Sequence, residues 1–160
     1  MCYPKRPQHE HYARLVKQLE VLGVPFAPHE ELLQQPLSQA YDVAVDAAFG
    51  FSFKGAPRPP FDELLAALAP AAQPPPVVAV DVPSGWTVDE GDPTGEGLRP
   101  QVLVSLTAPK PCAGHFTGEH HFLGGRCGCA AVRRRHPARS DCALAARPGP
   151  GGSWHARAKS

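Results

Sequence analysis

The sequence predicts an α/β fold built on a mostly parallel sheet, and three observations carry that reading. Three short apolar runs, residues 43–49, 77–82 and 102–106, have the near-continuous hydrophobicity of strands covered on both faces. They are separated by segments long enough for crossovers, one of which, 61–68, places Leu64, Leu65 and Leu68 at helical spacing behind Pro60. Each run also carries a polar residue at or near its end, Asp46, Asp81 or Thr107, ahead of a loop. In a parallel sheet those three tips gather at the edge where ligands collect.

In chain order, residues 9–22 form an amphipathic helix, with Tyr12, Leu15, Val16, Leu19 and Leu22 on one face and Arg14, Lys17, Gln18 and Glu20 on the other. Gly23 ends it. Val24-Pro25-Phe26 is extended, and 28–40 is a Gln-rich connection with weak helical character at 30–35. The strand at 43–49 leads into a Gly50 to Gly55 loop. After the helix at 61–68, the Pro-rich stretch 69–76 is a linker, and Pro83-Ser84-Gly85 makes a tight turn after the second strand. Residues 127–160, with Arg133-Arg134-Arg135 and Gly-Pro-rich pieces, carry no apolar period and read as a disordered tail.

At 160 residues, 42% hydrophobic and 19% charged, the chain has the composition of one globular domain. The formal net charge of +1 gives no footprint for nucleic acid. No window reaches the run of about 20 apolar residues that a membrane helix needs. Cys2, Cys112, Cys127, Cys129 and Cys142 form no disulfide framework, which favours a reducing compartment, and taken as written the chain is cytoplasmic.

Asp46 and Asp81 stand at the ends of apolar strands, where an uncompensated charge is costly. They are either site carboxylates or caps of the following turns. Lys54, near Gly55 in the loop, either meets a ligand phosphate or faces solvent. Ser84 either offers oxygen to a hard cation or is a turn serine. His115, His120 and His121 look like metal ligands, but adjacent His120 and His121 point to opposite faces of an extended segment. Cys127, Cys129, His136 and Cys142 lack a standard zinc spacing.

Residues 41–55 (YDVAVDAAFGFSFKG), 80–86 (VDVPSGW) and 105–126 (SLTAPKPCAGHFTGEHHFLGGR) closely resemble the NAD(P)H-hydrate epimerases, the YjeF N-terminal domain proteins. Tyr3-Pro4-Lys5-Arg6-Pro7 is similar to the same family's segment after its second strand. The resemblance covers about 3–126 and implies a Rossmann-like fold, a homodimer, one potassium ion per subunit, and interconversion of the R and S forms of hydrated NADH and NADPH. By motif it implies Asp46 and Ser84 as potassium ligands. Gly50, Phe51, Ser52, Phe53, Lys54, Gly55, Ala56 and Asp81 become substrate contacts, with Asp81 the acid/base and Lys54 fixing the substrate amide or phosphate.

The family's upstream half, with a first strand and an Asn-Asn-Gly-Gly-Asp-Gly loop, has no counterpart, and Ala56 stands where the family usually has Asp. The expectation is an incomplete epimerase domain over 1–126 followed by a tail foreign to the family. Family members are mitochondrial and secreted. A second reading makes the chain a non-catalytic protein associating with apolipoprotein A-I, as the vertebrate member does, and a third makes it a non-functional product.

Overall fold

A computed structural model describes residues 1–5 and 9–124. The tail at 127–160, with Cys127, Cys129, Arg133 to Arg135, His136 and Cys142, lies outside the described residues. Four strands, β1 (Ala44–Asp46), β2 (Val77–Val80), β3 (Val102–Leu106) and β4 (His120–Gly124), form one sheet in the order β1-β2-β3-β4. Every neighbouring pair is parallel. The parallel α/β class is thus the observed one. No described helix is long and apolar enough to cross a membrane.

The first helix, α1 (Glu10–Val21), follows the expected periodicity. Gly23, at φ +72°, closes it: its amide donates to Glu20 O and the Val24 amide to Leu19 O, both at 3.0 Å. This paired closure needs a left-handed residue after the cap, which glycine supplies without a Cβ penalty. Only Val16 of α1 is buried. The weakly helical stretch at 28–40 resolves into two one-turn helices, α2 (His29–Leu32) and α3 (Leu37–Ala40). The longer helix α4 (Phe61–Leu68) coincides with its predicted span.

Three strand expectations change. β1 is Ala44–Asp46 rather than 43–49, because its carboxylate turns the chain: Asp46 Oδ1 accepts the Ala48 amide at 3.4 Å. β2 stops at Val80 because Asp81 takes φ +72°, outside strand geometry. β4 was not expected as a strand at all. The connections also differ, since only β1 to β2 crosses through a helix of two turns, whereas 81–101 is a loop and β3 reaches β4 through the 3₁₀ turn Pro111–His115.

The core forms on one face. Register aligns Asp46 with Ala79, Ala79 with Leu103 and Leu103 with His121, a row across all four strands. All four are buried, and Ala113 and Phe116 pack over the two apolar members. The polar ends of the row are satisfied locally: Ser84 serves Asp46, and Ser105 Oγ lies 2.8 Å from His121 Nε2. His120 points the other way and is exposed, as adjacency in a strand requires. Among the described residues no group of three or more His, Cys, Asp and Glu side chains is arranged to hold a metal.

Gly118 lets the chain enter β4. A Cβ there would sit 2.4 Å from the Pro100 carbonyl oxygen and 2.4 Å from the Phe116 ring. Gly118→Ala is therefore expected to lower stability by about 3 kcal/mol, the upper part of the overpacking range. Urea unfolding checks this, and a loss within about 0.5 kcal/mol, the surface-substitution range, would contradict it.

Candidate functional site

The parallel sheet brings the carboxyl ends of β1, β2 and β3 to one edge, and two carboxylates anchor it. Asp46, 3% exposed, accepts the Ser84 amide on Oδ2 at 2.7 Å and the Ser84 hydroxyl on Oδ1 at 2.6 Å. Burial pushes its carboxyl up from the usual range, against the opposing pull of those hydrogen bonds and the Ala48 amide. No lysine or arginine pairs with it among the described residues.

Asp81 sits in the opposite electrostatic setting. Burial raises its carboxyl too, but the hydrogen bond from Lys110, the Phe51 amide at 3.1 Å and the Lys110 charge together outweigh it. Asp81 is held below the usual carboxylate range and is ionised at neutral pH. Lys110 Nζ donates to Asp81 Oδ1 in a short ion pair.

A single stretch of backbone spans both groups. The Phe49 amide donates to Ser84 Oγ at 3.1 Å, and two residues later the Phe51 amide donates to Asp81 Oδ2. Stacking of Phe49 on Phe53, with centroids 3.9 Å apart, and Phe61 against Phe49 at 5.1 Å hold the stretch down. Gly50 lies between the two amides, where a Cβ would stand 3.0 Å from Asp81 Oδ2. If this edge is catalytic, we expect Gly50→Ala to push the carboxylate by a few tenths of an ångström and cut turnover several-fold, up to about 10-fold, below the roughly 100-fold cost of a full ångström. A kcat within twofold of the parent would contradict this.

The other predicted residues fall as follows. Phe51, Ser52, Lys54, Gly55 and Ala56 are exposed on the loop that Gly50 begins, with Phe53 half-buried. Lys54 forms no ion pair with a described residue, and the ammonium on Asp81 is that of Lys110 instead. Lys110 did not stand out in the sequence, although it lies just beyond the third strand tip, Thr107. Thr107, at φ +67°, is exposed beside it and donates its amide to Gly124 O at 2.8 Å. An open cleft lined by Trp86, His115 and Phe116 is separate, since neither carboxylate lines it.

The family model for the YjeF-related protein N-terminus matches residues 1–112. The chain belongs to that family. As a YjeF-related chain it is 50% identical over 127 residues to an NAD(P)H-hydrate epimerase of Phaeosphaeria nodorum, covering 78% of this chain and 50% of that protein. It is 53% identical over 133 residues to pyridoxine/pyridoxamine 5'-phosphate oxidase 1, chloroplastic, of Arabidopsis thaliana, covering 79% of this chain and 25% of that protein. The crystal structure of yeast ynu0, YNL200c, superposes with TM-score 0.69 at 38% identity, covering 84% of this chain and 57% of that one. The YjeF-related chain thus spans half or less of the length of these two relatives, and its parallel sheet with flanking helices is the Rossmann-like arrangement shared with the solved structure.

Proposed function

We propose that this edge epimerises hydrated NADH and NADPH, with Asp81 as the general base. The observation that carries the reading is the contrast between two buried strand-tip carboxylates, one pushed up and one held down, spanned by one backbone stretch. Such divergence is how one site assigns different tasks to the same functional group. The epimerase relative, half of whose length this chain matches, supports the choice of substrate.

An ionised Asp81 selects between the two routes open to the chemistry. Loss of hydroxide asks first for an acid, whereas ring opening asks first for a base. In ring opening, Asp81 takes the proton of the added hydroxyl, the C–O bond becomes a carbonyl, and the ring C–N bond breaks with its electron pair delocalised into the conjugated carboxamide. After rotation the nitrogen attacks the other carbonyl face, and Asp81 returns the proton to oxygen. Lys54, exposed on the loop, meets the substrate's phosphate or amide.

Asp46 and Ser84 suit potassium. Burial leaves the carboxylate with neutral donors alone, so a monovalent cation offsets its charge, and hydroxyl and carboxylate oxygens are the ligands hard cations take. Bound there, potassium supplies positive charge beside an anionic dinucleotide. The test is direct: the full chain is incubated with a single epimer of hydrated NADPH in potassium buffer, and the R-to-S ratio is followed by proton NMR. Equilibration faster than the uncatalysed rate supports the reading, and a ratio that tracks the blank overturns it.

A further inference from the structure

We propose that Lys110 is the positioning residue of this edge, fixing the charge and the aim of the Asp81 carboxylate through a three-acceptor cradle. This inference rests on the epimerase reading for its kinetic consequence, but its structural content stands on the geometry of the lysine.

An ammonium has three N–H donors, and here each has an acceptor. One goes to Asp81 Oδ1, one to Leu106 O at 2.8 Å and one to Ala108 O at 3.2 Å. A neutral amine has two N–H bonds, so saturation of three acceptors calls for the charged form. The acceptors come from two strand ends, Asp81 after β2 and Leu106 and Ala108 at and after β3, so the ammonium pins them to one another. Its side chain is 18% exposed, well short of a solvated surface lysine.

The sequence sets this lysine in advance. Lys110 lies between Pro109 and Pro111, and a residue before proline is driven from helical to extended backbone. It adopts φ −82°, ψ 161°, and its carbonyl accepts the Ala113 amide at 2.9 Å. The turn that follows packs Ala113 into the core, so the root of the side chain is fixed. At the other end Phe51 closes over the pair, its amide on Asp81 Oδ2 and its ring centroid 5.6 Å from Nζ.

Among the described residues, the other titratable group that feels the pair is Cys112, buried, whose thiol is pushed up by burial and by the Asp81 charge. It stays neutral across the working range. Lys110 is therefore the charge that sets Asp81, and Lys54 on the exposed loop is not its substitute.

The test uses the full chain and three proteins: the parent, Lys110→Met and Lys110→Arg. The Asp81 side-chain carboxyl carbon is titrated by NMR, and the pH dependence of epimerisation is measured alongside. In Lys110→Met we expect the Asp81 midpoint and the acid limb of the rate profile to move up by about one unit or more, the scale of losing an adjacent opposite charge. Lys110→Arg keeps the charge and is expected to restore most of the midpoint.

An Asp81 midpoint in Lys110→Met equal to the parent's overturns the proposal. A chain that does not epimerise at all, but whose Asp81 midpoint moves, removes the epimerase reading and leaves the cradle standing. An active Lys110→Met with an unmoved acid limb and midpoint does the reverse. Should Lys110→Met lose the dispersed amide spectrum of the parent, the parent decides: a Lys110 Nζ signal that shifts as Asp81 titrates supports the cradle, and one that ignores it overturns it.

Discussion

Asp81→Asn is expected to slow epimerisation by about 10²–10⁴-fold, the contribution of a positioned acid or base, with the fold unchanged. The backbone at this position accommodates the substitution. Asp81 occupies the left-handed region at φ +72°, which asparagine tolerates better than other non-glycine residues, so the turn into Pro83-Ser84-Gly85 survives. The amide oxygen still accepts from Phe51 or Lys110. The other of these donors then faces the amide NH2 without an acceptor, and the ion pair with Lys110 is lost together with the capacity to take and return a proton. The rate of R-to-S exchange, read beside an amide NMR spectrum, checks this, and near-parent exchange would remove Asp81 from the chemistry.

Asp46→Ala acts on stability instead. It strands the buried Ser84 amide and hydroxyl, which now share one carboxylate, and a buried donor left unpaired costs about 1–3 kcal/mol. We expect a loss of about 2 kcal/mol in urea unfolding at neutral pH without potassium. The pH dependence follows from the raised carboxyl: between the unfolded and folded values the folded state binds more protons, so this group's contribution falls as pH rises through that window. The gap between parent and Asp46→Ala is therefore wider below the window than at pH 7. Potassium at about ten times its Kd is expected to add roughly 1.4 kcal/mol to the parent and nothing to the variant. An equal response of both proteins would remove Asp46 as a ligand.

Much of this edge was legible in the residues. Asp46 and Asp81 stood out because a carboxylate closing a run of valines has little apolar company it can tolerate, and the folded chain gives each a specific set of donors. Helix α4 was legible from three leucines and a preceding proline. β4 was hidden because it begins with two histidines, and His121 enters the core against Ser105, sixteen residues away. Lys110 was hidden for a related reason: two of its acceptors are carbonyls of its own segment, but its role depends on a carboxylate that reaches it only when β2 and β3 pair. Local pattern finds groups that burial makes costly, and it misses groups whose meaning is supplied by partners distant in sequence.

The stretch from Phe49 to Phe51 carries a thermodynamic consequence. Ordering three residues of backbone forfeits roughly 3–6 kcal/mol of conformational entropy, and the stretch contains no helix or strand of its own to recover it. Besides the stacked rings, what holds it is borrowed: one amide rests on a serine that answers to Asp46, the other on a carboxylate that answers to Lys110. The order of the loop thus depends in part on the Asp46 carboxyl at the end of β1 and on the Asp81–Lys110 pair beyond β2 and β3. As acid protonates Asp81, the amide of Phe51 loses its stronger acceptor, and the loop gives up its fixed shape before the sheet beneath it does.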